Sequence, residues 1–316
     1  MIIFNEGNSP DRVPLFGGTL GGLGVNIPVV SASFDLGIAL NDLIDDDLIL
    51  RLMTNTFSEA RTTNNVIAET PGGRADRVVV VGAHLDSVPA GPGINDNGSG
   101  SAVILEIALQ MAELGIQPRN KVRFAFWSAE EEGLIGSTYY VSQLSSRDIK
   151  NIALNLNFDM VGSPNFVRFV YDGNGSNTPL AGPNGSAVVE NVFLDYFGQG
   201  LPSEATAFDG RSDYGPFIAV GIPAGGLFTG AEGIKTPQQV AVYGGTAGVA
   251  YDPCYHQACD TFANNSNTAL DQMSDAAAHA VLTFAMTTSA VNGTDKGKGK
   301  GTWRDAMEFQ GNYARK

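Results

Sequence analysis

Four consecutive valines, Val78-Val79-Val80-Val81, leave this chain few architectures. The run does not alternate with polar residues. A strand built from it buries both faces, as in a parallel sheet covered by helices on either side. Val122 to Trp127 and Ile152 to Phe158 read as two further buried strands and Phe166 to Tyr171 as a fourth. Val66-Ile67-Ala68-Glu69 is a shorter strand, set off from the valines by the turn Pro71-Gly72-Gly73. Ser101 to Leu114 has helical periodicity. Val103, Ile104, Ile107, Ala108, Met111 and Leu114 form its inner stripe, Glu106, Gln110 and Glu113 face out, and Gly115 stops it. Further helices are expected over Ile135–Leu144, Ser186–Phe197 and Thr268–Met286. The alternation predicts an α/β fold with a mixed, mostly parallel central sheet flanked by helices.

Residues 1–60 do not share this pattern. Gly17-Gly18-Thr19-Leu20-Gly21-Gly22 reads as loop, Val25 to Phe34 as a short strand, and Asp35 to Met53 as room for a short helix. The polar stretch Glu59 to Asn65 is the candidate boundary. Residues 61–291 then form the α/β domain, and residues 292–316, with Lys296-Gly297-Lys298-Gly299-Lys300-Gly301, read as a disordered tail.

Charge narrows the partners. Of 19 Lys and Arg and 33 Asp and Glu, six bases and three acids fall from Val291 onward, leaving 13 and 30, a net −17, in the body. Phosphate binding needs clustered Lys and Arg, so nucleic acid is not expected as a partner. No apolar run reaches the ~18 residues of a membrane span, so no membrane partner is expected. The start, Met1 to Glu6, is too short and too acidic for a signal peptide. The two cysteines, Cys254 and Cys259, have four residues between them. A local disulfide is the first reading and implies an oxidising compartment. A pair of thiolate metal ligands is the alternative, although C-x4-C is not a usual zinc spacing.

Active sites of open α/β sheets form beyond the carboxyl ends of the strands. The valine strand ends in His84-Leu85-Asp86, the second in Ala129-Glu130-Glu131-Glu132-Gly133, and the third in Asp159-Met160. Asp96, in Asn95-Asp96-Asn97-Gly98-Ser99-Gly100, stands just before the helix that starts at Ser101, where the helix dipole favours an ionised carboxylate. Of three histidines, His279 falls opposite the apolar face of the last helix and reads as exposed, which leaves His84 and His256. Each signal alone has a bland reading: a core histidine, a solvated helix start. Their joint occurrence at strand ends does not. No G-x-S-x-G elbow and no H-E-x-x-H occurs, which sets aside a serine hydrolase and a zincin.

With Tyr255-His256-x2-Cys259-Asp260, these five motifs stand in the order found in the co-catalytic di-zinc aminopeptidases, and residues 62–290 resemble that family. Phe208 to Tyr214 and Pro223 to Gly230 are similar to its aminopeptidase S branch. The resemblance implies a zinc-exopeptidase three-layer sandwich and a metallo-aminopeptidase acting on peptides with a free N-terminus. It implies two zinc ions bridged by Asp96, one completed by His84 and Asp159 and the other by Glu131 and His256. Glu130 is then the general base, Tyr255 the hydroxyl donor to the oxyanion, and Asp86 the residue that orients the His84 ring. Arg211 assists at the substrate, and Met160 and Phe228 line an apolar pocket for a first residue such as Leu, Met or Phe. Zinc acidifies water and polarises the carbonyl, and a nearby carboxylate can move the proton, so the residue types suit that chemistry. Glu130, Glu131 and Asp159 would also attract an α-ammonium group.

Ile2-x-Phe4-Asn5, Ile27-Pro28-Val29-Val30-Ser31, Gly37 and Leu40 resemble the end of a protease-associated domain, so residues 1–60 are expected to be its remnant. An unrelated Gly-rich extension is the alternative. On the first reading the chain begins inside an insert, which accounts for the missing signal peptide of a secreted, monomeric enzyme. Asp271 and Asp275 match positions near a calcium site in some relatives. Competing readings are a carboxypeptidase or glutaminyl cyclase of the same superfamily, and a non-catalytic homologue or inactive fragment.

Overall fold

The computed structural model describes residues 1–8, 13–16, 25, 27–44, 49–56 and 59–292. The Gly17–Gly22 loop and the tail beyond Asn292 lie outside them. The chain divides into two compact units, the first covering residues 1–62 and the second beginning at Thr63.

The first unit holds two short parallel strands, β1 (Ile2–Phe4) and β2 (Val30–Ala32), and one helix, α1 (Phe34–Asp42). Ser33 caps α1 by accepting the Leu36 N–H. Both expected elements are shorter than their sequence patterns. Only Val30–Ala32 of the expected strand pairs, and α1 ends at Asp42, where the sequence turns to Leu43-Ile44 and a run of aspartates.

The second unit is built on seven strands: β3 (Val66–Glu69), β4 (Arg74–His84), β5 (Asn120–Trp127), β6 (Ile152–Phe158), β7 (Phe169–Tyr171), β8 (Glu204–Thr206) and β9 (Ala224–Phe228). Their order across the sheet is β3-β5-β4-β6-β9-β7-β8. The central four, β5, β4, β6 and β9, run parallel; β3 is antiparallel to β5, and β7 to β9. Helices α2 (Gly100–Glu113), α5 (Ser186–Phe197), α8 (Asn267–Met286) and α9 (Ser289–Asn292) contribute to the core on one face. Helices α3 (Ile135–Ser142), α4 (Ser146–Asn151) and α6 (Tyr214–Ala219) contribute to the other, and α7 (Pro237–Tyr243) carries no buried residue.

The four valines divide as a two-sided strand requires. Val79 and Val81 pack into the first core and Val78 and Val80 into the second. In α2 the inner stripe is Val103, Ile104, Ile107 and Met111, all buried. Leu114, expected in that stripe, is 69% exposed because it lies past the last turn. Strand β9 has no clear sequence signature, since Ala224-Gly225-Gly226 reads as turn. The glycines are there for a close approach. A Cβ on Gly226 would sit 1.8 Å from the Asn157 carbonyl oxygen on β6. Helix α6 is masked in the same way by its Gly215-Pro216 pair.

Candidate metal centre

The site lies where the parallel strands end. His84 is the last residue of β4, and β5 leaves the sheet at Trp127 and turns into Glu130 and Glu131. Asp159 follows the end of β6. Because β4 pairs with both β5 and β6, these exits are neighbours. Asp96 arrives from the segment Ile94–Ser99 that leads into α2. Asn97 ties that segment to the sheet. Its Oδ1 accepts the N–H groups of Gly100 (3.0 Å) and Met160 (3.1 Å), and its Nδ2 donates to the Phe158 carbonyl (2.9 Å). The approach requires glycine at 100, where a Cβ would stand 2.1 Å from the Phe158 carbonyl oxygen. His256 and Tyr255 come from a loop closed by the Cys254–Cys259 disulfide, with 5.2 Å between the Cα atoms.

The two oxygens of Asp96 face different partners. Oδ1 is 3.1 Å from His84 Nε2, which is also 3.3 Å from Asp159 Oδ1. Oδ2 is 3.2 Å from His256 Nε2, which is 3.1 Å from Glu131 Oε2. Glu130 Oε2 stands 4.0 Å from His84 Nε2. All are buried except His256, which is partly exposed. His84, Asp96 and Glu131 each bring a ligand atom within 4.8 Å of one another, as do His84, Glu130 and Asp159. Imidazole nitrogens and carboxylate oxygens are the donor set that zinc takes, so these residues fit a metal.

The electrostatics point the same way. Burial of the His84 ring opposes its charge, but the carboxylates of Asp159 and Glu130 prevail and hold its pKa well above the ordinary value. His256 is pushed up to about 9, its burial outweighed by Asp96 and Glu131. The carboxylates thus call for positive charge at the place where both Nε2 atoms point.

Asp86 acts on two neighbours. The ring N–H at His84 Nδ1 is 3.1 Å from the Asp86 backbone carbonyl, while the carboxylate stands off at 3.6 Å. That carboxylate accepts the backbone N–H groups of Glu130 (3.0 Å) and Glu131 (3.1 Å), so it also fixes the glutamate turn. Holding the proton on Nδ1 leaves Nε2 as the free donor. Burial raises the Asp86 pKa, but His84 together with the backbone N–H groups of Glu130 and Glu131 brings it below the ordinary value.

Tyr255 stacks on His256 with ring centroids 3.9 Å apart, and its hydroxyl accepts from Arg211 Nη2 at 3.3 Å. Arg211 also donates to Glu232 at 2.7 Å. Met160, Ala231 and Tyr255 form one apolar cluster against which Phe228 packs. Glu132 is exposed, as is His279, whose ring lies 5.2 Å from that of Tyr196. Asp271 and Asp275 are exposed on α8, and among the described residues neither belongs to a group of three ligand side chains.

Several contributors had no sequence signature. Ser212 Oγ donates to Asp159 Oδ2 (2.6 Å) and accepts from Asn157 Nδ2 (2.7 Å), which orients that carboxylate from behind. Among the described residues, Ala129, Met160 and His256 are three of four non-glycine residues with left-handed φ, at +52°, +54° and +57°. Such positions cost of order 1–3 kcal/mol each and gather where a site imposes geometry.

Fold and site together define an α/β protein with a buried imidazole–carboxylate cluster, fit to hold a metal, at the carboxyl edge of its sheet. The chain belongs to peptidase family M28, which residues 65–281 match. It is 49% identical over 312 residues to an aminopeptidase of Pseudomonas aeruginosa, covering 98% of this chain and 58% of that protein. It is 49% identical over 271 residues to leucine aminopeptidase 2 of Trichophyton rubrum, covering 85% of this chain and 54% of that one. Among solved structures it resembles BSAP, a zinc aminopeptidase from Bacillus subtilis, with a TM-score of 0.55 and 30% identity over 69% of this chain and 48% of that chain. The chain spans about half the length of the curated relatives it matches. Among the described residues, no helix is long and apolar enough to cross a membrane.

Proposed function

We propose that the protein is a metallo-aminopeptidase that removes a large apolar N-terminal residue, such as Leu, from peptides at a centre of two zinc ions. The observation that carries this is the division of Asp96. One oxygen faces His84 and Asp159 and the other faces His256 and Glu131, at 3.1 and 3.2 Å from the two Nε2 atoms. A carboxylate so placed suits bridging, with one imidazole and one carboxylate completing each side. Two zinc ions held there would supply a Lewis acid for the scissile carbonyl and acidify a water to near-neutral pKa.

The chain's own groups then have distinct work. Glu130, buried beside His84, takes the proton of the attacking water and passes it to the leaving amine. The Arg211 guanidinium donates to the Tyr255 phenol oxygen, which turns the phenol proton toward the developing oxyanion. Met160 and Phe228 receive the first side chain, and the ring of carboxylates attracts the free α-ammonium group. We read residues 1–60 as the remnant of a protease-associated domain, and the protein as a secreted monomer. The disulfide supports an oxidising compartment. Calcium at Asp271 and Asp275 rests on the resemblance alone.

Metal analysis and N-terminal blocking test the reading together. Two zinc ions per chain are expected, with activity lost on chelation and on acetylation of the substrate's α-amine. One zinc or none in the folded protein, or equal cleavage of acetylated peptides, would overturn it.

A further inference from the structure

The ligands come from two sources, the sheet with its attached Asp96 segment and the disulfide loop that carries His256. One residue joins the two. Asp260, 1% exposed at the end of the loop, accepts the backbone N–H of Asn95 on Oδ1 (2.9 Å) and that of Asp96 on Oδ2 (3.1 Å). Its backbone carbonyl accepts the N–H of Ile94 (3.1 Å), so three consecutive amides of the Asp96 segment end on one side chain and its carbonyl. Asn264 Nδ2 braces Oδ1 from the other side at 3.2 Å. At the start of the loop Asp252 ties Asn95 and Asn264 by their side-chain amides, at 2.6 and 2.8 Å, and accepts the Cys254 N–H at 2.8 Å.

The arrangement repeats that of Asp86, whose carboxylate takes the adjacent N–H groups of Glu130 and Glu131. In each case one aspartate, buried at 260 and partly exposed at 86, uses both oxygens on two successive amides of a ligand-bearing turn. Such charge-assisted bonds are stronger than neutral ones and fix the backbone on which a ligand hangs. An asparagine cannot replace it. It has one acceptor, and its NH₂ would face the second N–H.

We infer that Asp260 is a positioning residue for the metal centre, holding Asp96 and the His256 loop in one frame. This rests on the two-zinc reading above. The zinc between His256, Glu131 and Asp96 then depends on Asp260 through two of its three ligands. The zinc between His84, Asp159 and Asp96 depends on it through one. Loss of the clasp therefore loosens the two ions unequally, which general destabilisation of the fold does not do.

The test compares the full-length wild type with Asp260→Asn, first stripped of metal and then titrated with cobalt(II) or zinc against a competing chelator. Cobalt spectra of His84→Ala and His256→Ala proteins assign the two sites. In Asp260→Asn the His256-side ion should bind roughly 10–100-fold more weakly, as expected when a residue behind a ligand is lost, with a smaller change on the His84 side. Excess zinc should restore kcat at unchanged KM. Unchanged affinity for both ions, or equal weakening of both, overturns the proposal whatever the melting temperature does. If Asp260→Asn does not fold, Asn264→Ala decides. It removes the brace and leaves the carboxylate, so a several-fold loss on the His256 side is expected and none overturns the proposal. A wild type that binds fewer than two ions defeats the two-zinc reading instead.

Discussion

Three adjacent glutamates allow base and ligand to be separated by the same change at each. Glu130 and Glu131 are buried, at 3% and 8% exposure, and Glu132 is exposed. Asp86 holds Glu130 and Glu131 by their backbone N–H groups, so Glu→Gln leaves both turns anchored. Glu131 Oε2 is 3.1 Å from His256 Nε2, whereas Glu130 Oε2 stands 4.0 Å from His84 Nε2. Glu130→Gln keeps the size and one acceptor but cannot take a proton. Turnover should fall ~10²–10⁴-fold with zinc retained, the scale of a lost general base. That is roughly 3–5 kcal/mol of barrier. Glu131→Gln replaces the carboxylate of a proposed ligand by an amide, and zinc affinity should fall by at least the ~10–100-fold that a mere supporting residue costs. Glu132→Gln should stay within about 0.5 kcal/mol in stability and leave turnover unchanged. Zinc stoichiometry after dialysis, measured beside turnover on Leu-p-nitroanilide, reads all three. A Glu130→Gln protein that loses its metal, or turns over normally, would place the roles one residue away.

Protons and metal compete for the two imidazoles, so zinc affinity should rise with pH until it passes the His256 value of about 9; a chelator titration that is flat between pH 6 and 9 refutes this. The raised His256 pKa also stabilises the metal-free fold. That contribution is full below the ordinary 6.5 and lost as pH rises through about 9, so the melting temperature of the metal-free protein should drop across that window. Gly100→Ala drives a Cβ to 2.1 Å from the Phe158 carbonyl oxygen and should cost about 1–3 kcal/mol, seen as a lower melting temperature; an unchanged one shows that the α2 start can shift freely. Reducing the Cys254–Cys259 disulfide frees the loop that carries His256, so one zinc should exchange faster after dithiothreitol treatment than before. His279→Ala, by contrast, should leave metal content and turnover as they are.

The amino-acid sequence by itself determined the class of fold and most of the ligand types. A four-valine run can only be buried on both sides, and strands that end in His84, Glu130-Glu131 and Asp159 bring those side chains to one edge once the sheet is parallel. Period and hydrophobicity are local properties, readable without contacts. What hides behind glycine and proline is not local. Strand β9 and helix α6 escape a reading of propensity because their Gly226 and Gly215-Pro216 answer to the close approach of a neighbour or to a short turn. Tertiary structure alone decided which oxygen of Asp96 faces which histidine, that the Asp86 carboxylate holds a glutamate turn as well as standing beside an imidazole, and that Ser212 backs Asp159. It also joined Asp260 to Asn95 and Asp96, some 165 residues away in the chain. Hydrogen bonds between such distant residues depend on angles and distances of a few tenths of an ångström, and no spacing along a chain encodes those.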